Sequence, residues 1–274
     1  MTFRMLCASL FLVLASVPLQ AQTPADLTTA LRIDDVVDVM RQEGLKYGSD
    51  LEEELFPGAG GTRWRAAVDL IYDPATMRRR FDERFSAEIA EDAGAMAASI
   101  DFFDSERGQR IIALEIEARL ALLDDAVEEA AKVAVDEMRA EAAPRFETLT
   151  RFAEVNDLIE QNVAGALNSN LSFYRGMSDA GAFGSGMSES DILSDVWSQE
   201  ADIRAETEDW LYPFLSLAYQ PLSDEDMAAY LDFSATDAGQ KLNSAVFAAF
   251  DSVFSSISYD LGRAAARMLS GQDI

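Results

Sequence analysis

The stretch Met96–Ile111 reads MAASIDFFDSERGQRI, and 131 residues later (227 minus 96) Met227–Leu242 reads MAAYLDFSATDAGQKL. Met, both Ala, Asp, Phe, Gly and Gln coincide without a gap, and Ser/Thr, Glu/Asp, Arg/Lys and two aliphatic pairs are conservative. Self-similarity of this kind marks a repeated supersecondary unit. Each copy has the logic of a helix start. Ser105 and Thr236 can cap a helix N-terminus through their hydroxyls, and Glu106 and Asp237 then fall in the first turn, where the macrodipole favours an anion. Gly108 and Gly239 follow two residues on, although glycine costs a helix about 1 kcal/mol relative to alanine. Close approach of a neighbouring helix or of the partner unit is the expected reason. Gln109 and Gln240 come next, placed to bond a nearby backbone group. The motif is expected to be the elbow of an α-hairpin whose shorter arm carries Phe102 or Phe233.

Outward from the motif, the period stays helical. Apolar residues at Ile112, Ile116, Leu120, Leu123, Val127, Ala130, Ala134 and Met138 are spaced by threes and fours, which keeps them on one face of a single long helix. Phe247, Phe250, Phe254, Ile257, Leu261, Ala264 and Met268 repeat the pattern in the second copy. Both stripes are expected to be core. No β-branched alternation bounded by turn residues reads as a strand. Weaker echoes lie upstream. Pro57–Gly61 precedes Trp64 as Gly181–Gly186 precedes Trp197, and Asp35-Val36-Val37-Asp38 resembles Asp157-Leu158-Ile159-Glu160. The expectation is an all-α protein of two tandem pseudo-symmetric helical units, 22–143 and 144–274, joined near Pro144 and packed as one body.

Residues 1–21 read as a secretory signal peptide. Arg4 supplies the positive start, Met5–Val17 is apolar or small throughout, and Leu19-Gln20-Ala21 ends on a small residue suited to cleavage. The apolar run is shorter than the ~20 residues a bilayer span needs, so no integral span is expected in the mature chain, and the destination is the periplasm. The single cysteine, Cys7, lies inside this leader, and the chain has no histidine. Without them there is no Ser-His-Asp triad, Cys-His dyad, HExxH zinc site or disulfide. With 49 Asp and Glu against 22 Lys and Arg, the formal charge is −27, which argues against nucleic acid or anionic lipid as a partner.

At the repeated motif the sequence resembles a proteobacterial domain family of unknown function, found in exported helical proteins, with a Phe-x-x-Ser-x-x-Gly-Gln signature at a helix turn. Phe102, Ser105, Gly108 and Gln109 carry it here, and so do Phe233, Thr236, Gly239 and Gln240. The ending Ile257-Ser258-Tyr259-Asp260-Leu261-Gly262-Arg263 also resembles the family, whereas the first copy lacks the Tyr-x-x-Gly-Arg ending. The resemblance implies export, an all-helical fold and a cell-envelope setting, and it brings no activity.

Candidate chemistry is sparse. Glu52-Glu53-Glu54, Asp124-Asp125 and Glu128-Glu129 run along helices and diverge, unlike the converging oxygens of a calcium loop, so no metal is expected. The glycine-rich loops lack the lysine and the preceding strand of a phosphate loop, and no cofactor is expected. Arg78-Arg79-Arg80 with Arg84 is the one basic island; it can grip a carboxylate or phosphate partner, or pair with surrounding acids. Trp64, Tyr72, Trp197, Trp210, Tyr212 and Tyr219 can either fill the core or line an apolar groove between hairpins. Trp64, Arg78, Arg79, Trp197 and Trp210 are therefore the candidate ligand or interaction residues. The expected function is a non-catalytic binding or interaction module of the envelope, its partner an envelope protein or an apolar small ligand. The alternative is a hydrolase using an Asp/Glu pair.

Overall fold

The computed structural model describes residues 22–184 and 187–271, and every regular element among them is an α-helix. In chain order these are α1 (Pro24–Ala30), α2 (Ile33–Leu55), α3 (Gly61–Ile71), α4 (Pro74–Ile89), α5 (Ala93–Phe103), α6 (Glu106–Ala121) and α7 (Asp125–Ala140), then α8 (Pro144–Val155), α9 (Leu158–Asp179), α10 (Glu189–Ser198), α11 (Glu200–Tyr219), α12 (Asp224–Ser234) and α13 (Asp237–Leu269). Residues 1–21, where a signal peptide is expected, and Ser185 and Gly186 of the second glycine-rich loop lie outside the described residues. Among those described, no helix is long and apolar enough to cross a membrane.

Both copies of the motif form the elbow of an α-hairpin, α5–α6 and α12–α13. Ser105 Oγ accepts from Gly108 N at 3.0 Å and donates to Phe102 O at 2.6 Å. Thr236 Oγ1 makes the same pair of bonds with Gly239 N and Phe233 O, at 3.0 and 2.7 Å. Each glutamine then ties two helix ends together. Gln109 Nε2 donates to Phe103 O and to Ala30 O, at 2.8 and 2.7 Å. Gln240 Nε2 donates to Ser234 O and Val155 O, both at 2.8 Å. The helix ends so captured, Ala30 and Val155, are each followed two residues on by a left-handed residue, Arg32 and Asp157, both at φ 52°. That backbone match pairs position 32 with 157, so the upstream echo that set Asp35 against Asp157 is three residues out of register. The glycines are explained by the elbow itself. A Cβ at Gly108 would stand 2.3 Å from Phe102 O, and one at Gly239 would stand 2.2 Å from Phe233 O. The close neighbour is the last turn of the preceding helix, not the other half of the chain.

The halves meet through these elbows. The rings of Phe102 and Phe233 stack at 4.3 Å between centroids and 13° between planes. The hydrophobic cores, however, do not divide at Pro144. One is built from α1 to α6 together with Leu242, Ala245, Ala249, Val253, Ile257 and Leu261 of α13. The other gathers α8, α11 and α12 around Ile111 and Ala118 of α6. Each long elbow helix thus contributes to a core made mostly by the opposite half, and the helices pack as one body.

Two helical stripes differ from expectation. The helix after Gly108 is not continuous, because it stops at Ala121 and restarts at Asp125, where the Asp124 carboxylate caps Ala126 N at 2.9 Å. The aspartate pair is a helix-start signal that wins over the apolar period. Ala131 and Val135 are buried on α7, while Ala130 and Ala134 are exposed. On α13 the buried face runs through small and aliphatic residues instead of the phenylalanines: Ala245 and Ala249 are fully buried, whereas Phe254 is 36% exposed. The two alanines face α1 to α6 in the first core, and on another side α13 crosses α9 closely. A Cβ at Gly176 would lie 2.1 Å from Tyr259 O, and one at Gly262 would lie 2.1 Å from Phe173 O, so the two backbones touch. Between the first core and α9, α13 leaves Phe247 and Phe254 to border open space.

Candidate functional site

That open space is a cavity of about 640 Å³. Phe247, Phe250 and Phe254 line it from α13, Trp210 and Phe214 from α11, and Phe152 from α8. Trp210 and Phe214 stack at 5.1 Å with planes 5° apart, which gives a flat aromatic wall. A smaller cavity of about 230 Å³ adjoins it, and Glu115, Arg119, Asn156, Tyr230, Asn243 and Phe250 border both. Size and lining suit a small-molecule site, mostly apolar with a few placed polar groups.

Glu115 of α6 is the charged group at the centre of this shared wall. Its Oε1 accepts from Tyr219 Oη at 2.7 Å and from Tyr230 Oη at 3.1 Å. Removal from water pushes the Glu115 carboxyl above its ordinary range, against the two phenol donors and the Arg119 charge, which pull it down. Burial and the neighbouring Glu115 charge hold both phenols well above theirs. Arg119, one turn along α6, is committed elsewhere: Nε and Nη2 hold Glu43 of α2 at 3.0 and 2.7 Å. Asn156 donates to Phe152 O at 3.0 Å, and Asn243 donates to Asn156 O at 2.8 Å. The site is a hydrogen-bonded carboxyl on the wall of an open cavity lined by aromatic and amide side chains. Among the described residues, no group of three His, Cys, Asp or Glu side chains is placed to hold a metal ion.

The raised carboxyl has a stability signature. The folded chain binds the Glu115 proton more tightly than the unfolded chain does. The stability from this group is therefore full below the unfolded pKa and is lost as pH rises through the folded one. Glu115→Gln keeps an acceptor oxygen for both tyrosines and removes the charge. Its melting temperature is expected to exceed that of the unsubstituted protein at about pH 7.5 and to converge with it toward about pH 4, each unit of raised pKa being worth about 1.4 kcal/mol. Thermal melts across that range check it, and a gap that widens on acidification contradicts it.

The sequence-derived candidates scatter. Trp64 is fully buried, donates from Nε1 to Gly48 O at 2.7 Å and meets Phe56 edge-on; it is a core residue. Arg78 spans Asp34 at 2.5 Å, Asp82 at 2.9 Å and Thr28 at 2.7 Å, and Arg79 sits 4.0 Å from Glu83 on the exposed side of α4. With Arg84 on Glu88 and Arg80 near Asp260, the basic island is internally paired. Trp197 is 64% exposed on α10. Of the six aromatics weighed for a groove, Trp210 and Tyr219 line the cavity. Phe102, Ser105, Gly108, Gln109, Phe233, Thr236, Gly239 and Gln240 build the elbows. Glu115 was missed. Its signal was its position, four residues after Ile111 and three before Ala118, both of which are buried, so that a carboxylate interrupts a second apolar face of α6. No family model, curated protein or solved structure matches the chain.

Proposed function

We propose that the protein is an exported, periplasmic binding module without catalytic activity, built from two tandem copies of one helical unit and related to the exported family its elbow motif resembles. The observation that carries the binding reading is the cavity between α6, α9, α11 and α13, about 640 Å³ and walled by aromatic residues. Binding is favoured over carboxylate hydrolysis because the two carboxylates, among the described residues, that line the larger cavity, Glu115 and Asp251, each have an oxygen already engaged, Glu115 Oε1 by two phenols and Asp251 Oδ1 by Asn168 Nδ2 at 3.0 Å. The repeat reading is supported by the duplicated elbow bonds and the matching left-handed residues, Arg32 and Asp157. Export is supported by the leader-like residues 1–21.

The test is made on the full chain expressed in a Gram-negative host. The protein recovered from the periplasmic extract is expected to begin at Gln22 by intact mass. It is also expected to bind one equivalent of the neutral apolar dye N-phenyl-1-naphthylamine, with a rise in dye fluorescence. Phe254→Glu, which puts a charge at the partly exposed lip of the cavity, is expected to weaken the dye roughly tenfold or more, the cost of a charge against an apolar ligand. Retention in the cytosol with the leader uncleaved overturns the export reading, and absence of saturable dye binding overturns the binding one.

A further inference from the structure

The polar wall shared by the two cavities has several of its donors already committed. The Tyr219 and Tyr230 hydroxyls bond Glu115, Nε and Nη2 of Arg119 bond Glu43, and Asn156 and Asn243 each donate once to a backbone carbonyl. Glu115 Oε2, Asn156 Oδ1 and Asn243 Oδ1 have no hydrogen-bond partner among the described residues and are open to solvent, and each belongs to a residue that borders both cavities. The charges are one-sided. Arg119 lies between two carboxylates, bonded to Glu43 by a two-bond pair and acting on Glu115 through charge alone, which leaves the three groups with a surplus of negative charge. Acceptors open to the cavity beside a surplus negative charge favour a ligand group that carries donors and positive charge. The rest of the cavity, with Phe247, Phe250, Phe254 and the Trp210–Phe214 stack, selects an apolar body.

We propose that the cavity takes a primary amine with a single long apolar chain, its ammonium set against Glu115, Asn156 and Asn243 and its chain along the aromatic wall. This deepens the binding reading above and rests on it. A fatty acid is the rival occupant, since it would need Arg119 to leave Glu43, and it enters as an outcome of the test.

The experiment is displacement of N-phenyl-1-naphthylamine from the full mature protein at neutral pH by three probes of equal length: dodecylamine, dodecan-1-ol and dodecanoate. Dodecylamine is expected to displace the dye at a concentration at least tenfold lower than either of the others, the range expected for hydrogen bonding to a charged partner. Lengthening the amine is expected to tighten it about three- to fourfold per methylene until the cavity is full. Glu115→Gln is expected to abolish the amine's advantage and leave the alcohol unchanged. If dodecanoate or dodecanol competes as well as the amine, the head-group assignment is overturned while the binding reading stands. If the dye does not bind at all, both fall. Should Glu115→Gln lose its helical circular dichroism, the head-group series on the unsubstituted protein still decides.

Discussion

Gly239→Ala lowers the melting temperature by roughly 6–12 °C, corresponding to about 3 kcal/mol in a chain of this size. Alanine normally gains on glycine inside a helix, by up to about 1 kcal/mol. Here the sign reverses, because the added Cβ would stand 2.2 Å from Phe233 O and 2.8 Å from Ser234 Cα. Both are backbone atoms of the preceding helix, and they cannot swing aside as a side chain would. Moving them also disturbs the Gln240 bond to Ser234 O and, through the same amide, the tie to Val155 O. Gly108→Ala meets the same obstacle at Phe102 O and Phe103 Cα and is expected to cost a similar amount. Gly165 of α9 is the control: the nearest atom to a Cβ there is Asp251 Oδ1, at 3.9 Å, so Gly165→Ala is expected to be neutral or stabilising. Equal melting temperatures for Gly239→Ala and Gly165→Ala would refute the elbow account.

Residues 22–143 and 144–274, produced as separate chains, are each expected to lack a cooperative thermal transition, and mixing them is expected to restore one. The first core depends on α13 for Leu242, Val253, Ile257 and Leu261 among others. Burying such side chains is worth about 1.5–3 kcal/mol each, so these four contribute roughly 6–12 kcal/mol, as much as the net stability of a typical domain. The second core in turn needs Ile111 and Ala118 from α6. Far-ultraviolet circular dichroism of each piece and of the mixture reads the outcome. A sharp, reversible melt for 22–143 alone would show that the first core closes without α13.

What was legible in the sequence was what is local. The elbows were readable because a cap needs only a hydroxyl three residues before the N–H it serves, and Ser105–Gly108 and Thr236–Gly239 meet that condition within one turn. The break at Asp124 was encoded just as locally, but its aspartates also fitted the polar face of a longer helix. The stripe of α13 is legible in its second half, where Ile257, Leu261 and Ala264 are buried. A period of three and four shows which residues share a side, not what covers that side. In the first half the first core covers Ala245, Ala249 and Val253 instead, and Phe247 and Phe254 border the cavity.

The candidate site was less legible than the fold. Trp210 and Tyr219 could be suspected from their type. Glu115 cannot be separated from other acids without knowing that α6 is packed on two sides, against α2 and α5 on one and against α11 on the other. Its role depends on Tyr219 and Tyr230, which are 104 and 115 positions away, and no spacing rule reaches that far. Arg78 and Arg79 drew notice because basic residues are rare here, and that rarity is why each found an acid.

The position of α13 also sets an order of events. Phe81 touches Phe250, 169 positions later (250 minus 81), with ring centroids 4.7 Å apart. The first core therefore cannot close until almost the whole chain has been synthesised, and contacts this distant in sequence form slowly. On the export reading proposed above, such a delay is useful: a chain that crosses a membrane unfolded keeps its N-terminal half open until the segment that locks it has followed.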